Sequence, residues 1–147
     1  MECDAAREAR ACLRFCKYGE VRMAEKLVIM LLTISPDQPH LCGTPFFQAA
    51  SAAAMDVEVE IYFASAATRL LAKGVAERIY PSENKVKSVY GFMQDAANLG
   101  VKFYACGGAL DAYAIKPDIL IPECTGVAGG AAYISRVMDD EWRSISY

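Results

Sequence analysis

Residues 27–34, Leu-Val-Ile-Met-Leu-Leu-Thr-Ile, constrain this chain more than any other stretch. Seven of the eight are apolar, and they do not alternate with polar residues. A strand with one wet face alternates. A strand apolar at nearly every position is covered on both faces, which is the situation of a parallel sheet. The run is too short to span a bilayer, which takes about 20 residues. As a secretory signal it would need a shorter leader and a small-residue cleavage site, yet Ser35-Pro36-Asp37 follows it. A parallel strand must be followed by a crossover, usually helical, before the next strand. Strands and helices should therefore alternate from here on.

The pattern downstream obeys that requirement. Residues 35–45 form a loop with three prolines that holds His40 and Cys42. Thr44 reads as an N-cap with Pro45 at the first helical position, and 46–55 favours helix. Residues 57–64 alternate as a second strand, and 66–73 form a short helix stopped by Gly74. A brief extended piece follows at 76–81. The longest helix is expected over 83–99, closed by Gly100, and the third strand over 101–106. Helix over 110–115, an extended segment over 119–122, a glycine-loosened stretch over 126–130, a helix over 131–138 and a last strand over 143–147 complete the reading. Short connections between such elements imply right-handed crossovers. The fold class is α/β, a three-layer α/β/α domain on a mainly parallel sheet of about five strands, flavodoxin-like in outline.

At 147 residues the chain has room for one domain with a substantial core. Residues 23–147 carry the α/β pattern. Residues 1–22 differ, with four acids and five bases interspersed and Ala5, Ala9, Cys12, Leu13 and Cys16 spaced for one face of a helix. They read as an N-terminal appendage, helical or disordered. The apolar fraction of 54% and mean hydropathy of +0.18 are high for a soluble monomer. Either part of that surface lies between subunits or the interior is rich in alanine. Net charge is −3 and no basic stripe is interleaved with aromatics, so nucleic acid is not an expected partner.

Six cysteines stand at 3, 12, 16, 42, 106 and 124. None forms a Cys-x-x-Cys pair, and the chain is longer than disulfide-stapled domains. Free thiols in a cytoplasmic protein are expected. Cys12 and Cys16 are four apart, but no further ligand is near in sequence. His40, Cys42, Cys106 and Cys124 match no zinc spacing, so no metal is expected. The glycines at 126, 129 and 130 lack the lysine of a P-loop and suit close helix packing. Asp139, Asp140 and Glu141 read as the solvated end of the last helix.

The stretch Val101-Lys102-Phe103-Tyr104-Ala105-Cys106-Gly107-Gly108-Ala109-Leu110 stands apart. It is a short strand ending in a cysteine, followed at once by two glycines, and so puts Cys106 at the carboxyl edge of the sheet, where α/β proteins hold ligands. The loop of His40 and Cys42, and the segment of Cys124, are placed on the same rim. Two readings of Cys106 stand at this point. It is a buried packing residue before a turn, or a reactive thiol stabilised by the Gly107 and Gly108 amides. His40 is either a loop histidine without chemical duty or a neighbour that helps to deprotonate Cys106.

Residues 23–147 resemble the DsrE/DsrF/TusD-like sulfur-relay proteins, also known as the YchN-like fold. The likeness rests on 100–106 (Gly-Val-Lys-Phe-Tyr-Ala-Cys), on 110–115, on Ile119-Leu120-Ile121, on the glycine-led helix over 129–138 and on the short terminal strand. The resemblance implies that Cys106 accepts sulfur as a persulfide, that no cofactor is needed, and that copies assemble as trimers or hexamers. It implies a sulfur carrier or sulfurtransferase with donor and acceptor proteins as partners. A rival from another class is a non-catalytic oligomeric binding or scaffold module in which Cys106 is structural. A third reading is a flavin or nucleotide site at the sheet rim.

Overall fold

The computed structural model describes residues 25–147. Cys3, Cys12, Cys16 and the helix read over 1–22 lie outside the described residues. Five strands form one sheet: β1 (Lys26–Leu31), β2 (Glu58–Phe63), β3 (Lys102–Ala105), β4 (Cys124–Val127) and β5 (Trp142–Ser146). Their order across the sheet is β4-β3-β2-β1-β5, and every pair is parallel. Among the described residues four α-helices join them: α1 (Thr44–Ala53), α2 (Val89–Asn98), α3 (Gly107–Ala112) and α4 (Gly130–Val137).

The order dictates the layers. From β1 to β4 the chain steps in one direction, so right-handed crossovers put α1, α2 and α3 on one face. The return from β4 to β5 steps the other way and puts α4 on the opposite face. The packing follows this division. Ile29, Leu31, Val59, Ile61, Phe63, Phe103 and Ala105 point into the first face and are fully buried against α1 and α2. Phe46 of α1 stacks on Phe63 at 5.9 Å, and both meet Phe103 edge-on. Three aromatic side chains from one helix and two strands thus anchor the main core.

The second face carries a smaller cluster. Val28, Tyr62 and Trp142 are buried there, with Met30, Tyr104, Ala132 and Tyr133 packed around them. Glu60 shares this face and is only 2% exposed. Its carboxylate accepts bonds from Arg136 Nε of α4 and from the Tyr62 hydroxyl, each at 3.0 Å. The Arg136 guanidinium also lies 5.0 Å from the Trp142 ring centroid. A buried carboxylate is tolerated because it is paired and hydrogen-bonded.

Several local expectations are corrected. Gly43, not Thr44, caps α1, and Thr44 and Pro45 occupy its first two positions. The helix expected over 83–99 begins only at Val89, because the Ser88 hydroxyl accepts from Gly91 N at 3.1 Å and caps it there. The pieces at 66–73 and 76–81 are 3-10 turns, Ser65–Leu71 and Ala76–Arg78. Helix α3 starts at Gly107 rather than 110. The extended segment expected over 119–122 instead begins as the end of a 3-10 turn, Pro117–Ile119. The fourth strand lies at Cys124–Val127, and its second half falls in the stretch over 126–130 read as loosened by glycine. It is an edge strand and pairs with β3 through a register shift between Phe103 and Tyr104.

Candidate functional site

The chain leaves β3 at Ala105, and Cys106 is the next residue. Its N–H donates to Phe63 O of β2 at 3.0 Å, the last rung between these strands. Its φ and ψ, −74° and 119°, are those of an N-cap, and its own carbonyl accepts from Ala109 and Leu110 N at 3.1 and 3.0 Å. Cys106 is therefore held by backbone bonds on both sides, at the carboxyl edge of a central strand. Its side chain is half-buried.

A Cβ on Gly107 would lie 3.4 Å from the Val127 side chain, at contact distance from β4, whereas Gly108 faces open space. The first N–H groups of a helix have no intrahelical acceptor. The Gly107 and Gly108 amides are such groups, directly beside the Cys106 backbone. On the other flank, Ala128 N donates to Ala105 O at 2.9 Å and brings the Ala128-Gly129 loop alongside.

The other described cysteines are placed differently. Cys42 is fully buried, and its thiol donates to Ser35 O at 3.3 Å and Gln38 O at 3.5 Å. Burial pushes that thiol up to about 11. Cys124 opens β4 opposite Phe103, three residues below Cys106 on the ladder. It does not share the carboxyl rim, contrary to the sequence expectation, because β4 begins at Cys124 rather than ending before it. Burial pushes its thiol up as well, offset in part by backbone contacts to Gly126 and Ala105.

His40 sits exposed on a 3-10 turn, Pro39–Leu41, after β1. Two strand spacings, about 10 Å, separate β1 from β3. The histidine lines an open cleft of about 410 Å³ with Arg78, Tyr80, Pro81 and Lys85, and Cys106 is not part of that cleft. Among the described residues, no three His, Cys, Asp or Glu side chains converge as a metal site. His40, Cys42, Cys106 and Cys124 do not come together. Asp37 and Arg69, which sequence reasoning passed over, pair at 2.7 Å beyond the ends of β1 and β2.

Sequence comparison supplies the family. The model of the DsrE/DsrF-like family matches residues 26–147, and the chain belongs to that family. Solved structures share the fold. The YchN protein of E. coli superposes with a TM-score of 0.67 at 9% identity, over 85% of this chain and 100% of its own. A protein of unknown function from Methanobacterium thermoautotrophicum gives 0.59 at 20% identity, over 83% and 98%. A conserved protein of unknown function from Bacteroides thetaiotaomicron gives 0.60 at 14%, over 86% and 99%. No curated protein matches in sequence. Among the described residues, no helix is long and apolar enough to cross a membrane.

Proposed function

We propose that this protein is a cytoplasmic sulfur carrier that holds sulfane sulfur on Cys106 and passes it to a protein thiol. The observation that carries this reading is the contrast among the three described cysteines. Cys42 is fully buried and Cys124 is half-buried lower on the sheet, and burial raises both thiols. Cys106 alone among them caps a glycine-led turn at the carboxyl edge. Membership in the DsrE/DsrF-like family supports the same assignment.

The chemistry is a pair of sulfur transfers. The Cys106 thiolate attacks the terminal sulfur of a donor persulfide, R–S–SH. A new S–S bond forms at Cys106, the donor's S–S bond breaks, and the donor leaves as R–S⁻. The acceptor thiolate then attacks the terminal sulfur on Cys106, and Cys106 leaves as thiolate. Neither step changes the overall oxidation state or needs a cofactor. Incubation with a persulfide donor, followed by intact and peptide mass spectrometry, should add one sulfur to Cys106, and Cys106→Ser should abolish it. A wild-type Cys106 peptide that stays unmodified while a positive control loads would sink the reading.

Self-association as a trimer or hexamer belongs to the same proposal. Ile134, Val137 and Met138, three and four residues apart, are 54%, 40% and 77% exposed along α4 and its C-cap. Sedimentation equilibrium should give a mass several times the 16.0 kDa of one chain. A monomer across the micromolar range would overturn this part.

A further inference from the structure

Two loops meet beyond the carboxyl end of β1. One holds the 3-10 turn Pro39–Leu41 and leads into α1, and the other runs over 79–88 ahead of α2. The second loop is closed at its base, where Val89 N donates to Ile79 O at 2.8 Å. Its Pro81 lies against Gly43: a Cβ on that glycine would fall 3.0 Å from the proline ring, tighter than such contacts ordinarily are. Gly43 has a helical φ of −80°, so the approach of Pro81, and not the backbone, calls for glycine here. The loops are thereby held against each other, and the open cleft of about 410 Å³ lies between them.

His40 lines this cleft from one side, and Arg78 and Lys85 from the other. Neither Arg78 nor Lys85 has a carboxylate partner among the described residues, whereas Lys26, Arg69, Lys87, Lys102 and Arg136 each have one. Arg78 is fixed instead through Nε, which donates to Gly74 O. Gly74, at a φ of +81°, has no side chain to displace the guanidinium, whose Nη2 would lie 3.1 Å from a Cβ there. The Nη groups keep their donors, in a fork that suits phosphate oxygens. Lys85 is set by a tight turn: its N–H donates to Ser82 O at 3.1 Å, and its φ is +51°, uncommon for a residue with a side chain. Glu83 is the single acid along the lining, so the cleft is net positive, and Pro39, Tyr80 and Pro81 give it an apolar wall.

We infer that this cleft binds a small organic phosphate, its phosphate taken by Arg78 and Lys85 and its apolar body lying on Pro39 and Tyr80. The volume falls within the range of small-molecule sites, which combine an apolar lining with a few polar groups that fix orientation. An inorganic anion would use the charge and leave the apolar wall wet. An uncharged ligand would gain nothing from the two cations. Cys106 does not line the cleft, so the inference does not rest on the sulfur-carrier reading.

The test is isothermal titration calorimetry of the full chain with adenosine monophosphate, at low salt because salt screens exposed charges. The probe should bind with a Kd below about 1 mM. Arg78→Gln should weaken binding about tenfold, as expected for the loss of a charge-assisted hydrogen bond. Lys85→Gln should weaken it about threefold, the scale of one exposed charge contact. Lys116→Gln removes an exposed charge outside the lining and should bind as the wild type does. Adenosine and inorganic phosphate, each lacking one half of the probe, should both bind at least about tenfold more weakly. If Arg78→Gln folds poorly by circular dichroism, Arg78→Lys, which loses the fork, is read in its place and should weaken binding at least about threefold. No binding of the probe up to about 10 mM overturns the inference. So does wild-type affinity in the Arg78 variant, an equal loss in Lys116→Gln, or inorganic phosphate that binds as tightly as the probe. Sulfur loading of Cys106 is measured separately, so either proposal can fail without the other.

Discussion

Three thiols in one small domain have three fates, set by burial and by backbone. Cys42 is fully buried and donates to two carbonyls, and its raised pKa of about 11 leaves almost no thiolate at neutral pH. Iodoacetamide should therefore modify Cys106 in the native protein and reach Cys42 only after denaturant is added, as peptide mapping would show. Native labelling of Cys42 at a rate equal to that of Cys106 would contradict this account. The place of Cys106 was legible in the sequence because a strand ending and a glycine pair are both local signals. The places of Thr68 and Cys124 were not. Thr68 reaches its partner, the Phe63 carbonyl, through a turn at Ser65, a non-glycine residue with a φ of +50°, and Cys124 could be placed only once β4 was known.

At the scale of elements, legibility followed burial. Strand β1 announced itself because both faces are covered, and the alternation of β2 reflects a sheet whose second face is partly polar. Strand β4 is four residues, Cys-Thr-Gly-Val, at an edge and with a shift in register, so neither periodicity nor propensity marks it. Helix α4 is the one described helix on its face, and the Glu60–Arg136 pair fastens it to the sheet. Removing one partner of a buried pair leaves an uncompensated charge. Arg136 is itself 39% exposed, and water screens part of the interaction. Arg136→Ala should accordingly cost about 2 kcal/mol, below the full penalty for a dry pair. Urea denaturation measures this directly, and an unchanged midpoint would show that α4 is held by packing alone.

For the molecule as a whole, buried acids tie stability to alkaline pH. The Cys42 thiol is raised from 9.0 to about 11, and the phenols of Tyr62 and Tyr90 from 10.0 to about 12. Burial is the largest cause in each case, and the hydroxyls of Tyr62 and Tyr90 also donate to Glu60 and Glu123. In the unfolded chain these groups lose their protons first, so the folded state binds more protons between the two sets of values. Stability is then fully present below about pH 9 and falls as pH rises toward 12. Denaturant midpoints measured from pH 8 upward should decline over that window. Cys42→Ala should flatten the early part of the decline, whereas a flat profile to pH 12 would refute the linkage.

The position of β5 beside β1 has a consequence in time. Lys26 pairs with Trp142, and its ammonium bonds Glu141, 115 residues along the chain. During synthesis β1 stays without this neighbour until β5 is made, and Val28 and Tyr62 stay uncovered until α4 arrives. Closing so long a loop is entropically expensive, and contacts of this span slow folding. A nascent chain that ends before α4 presents an unpaired apolar strand edge to its surroundings, which is the state most prone to aggregate. The last helix and strand thus close the apolar edge and face that β1 and β2 otherwise leave open.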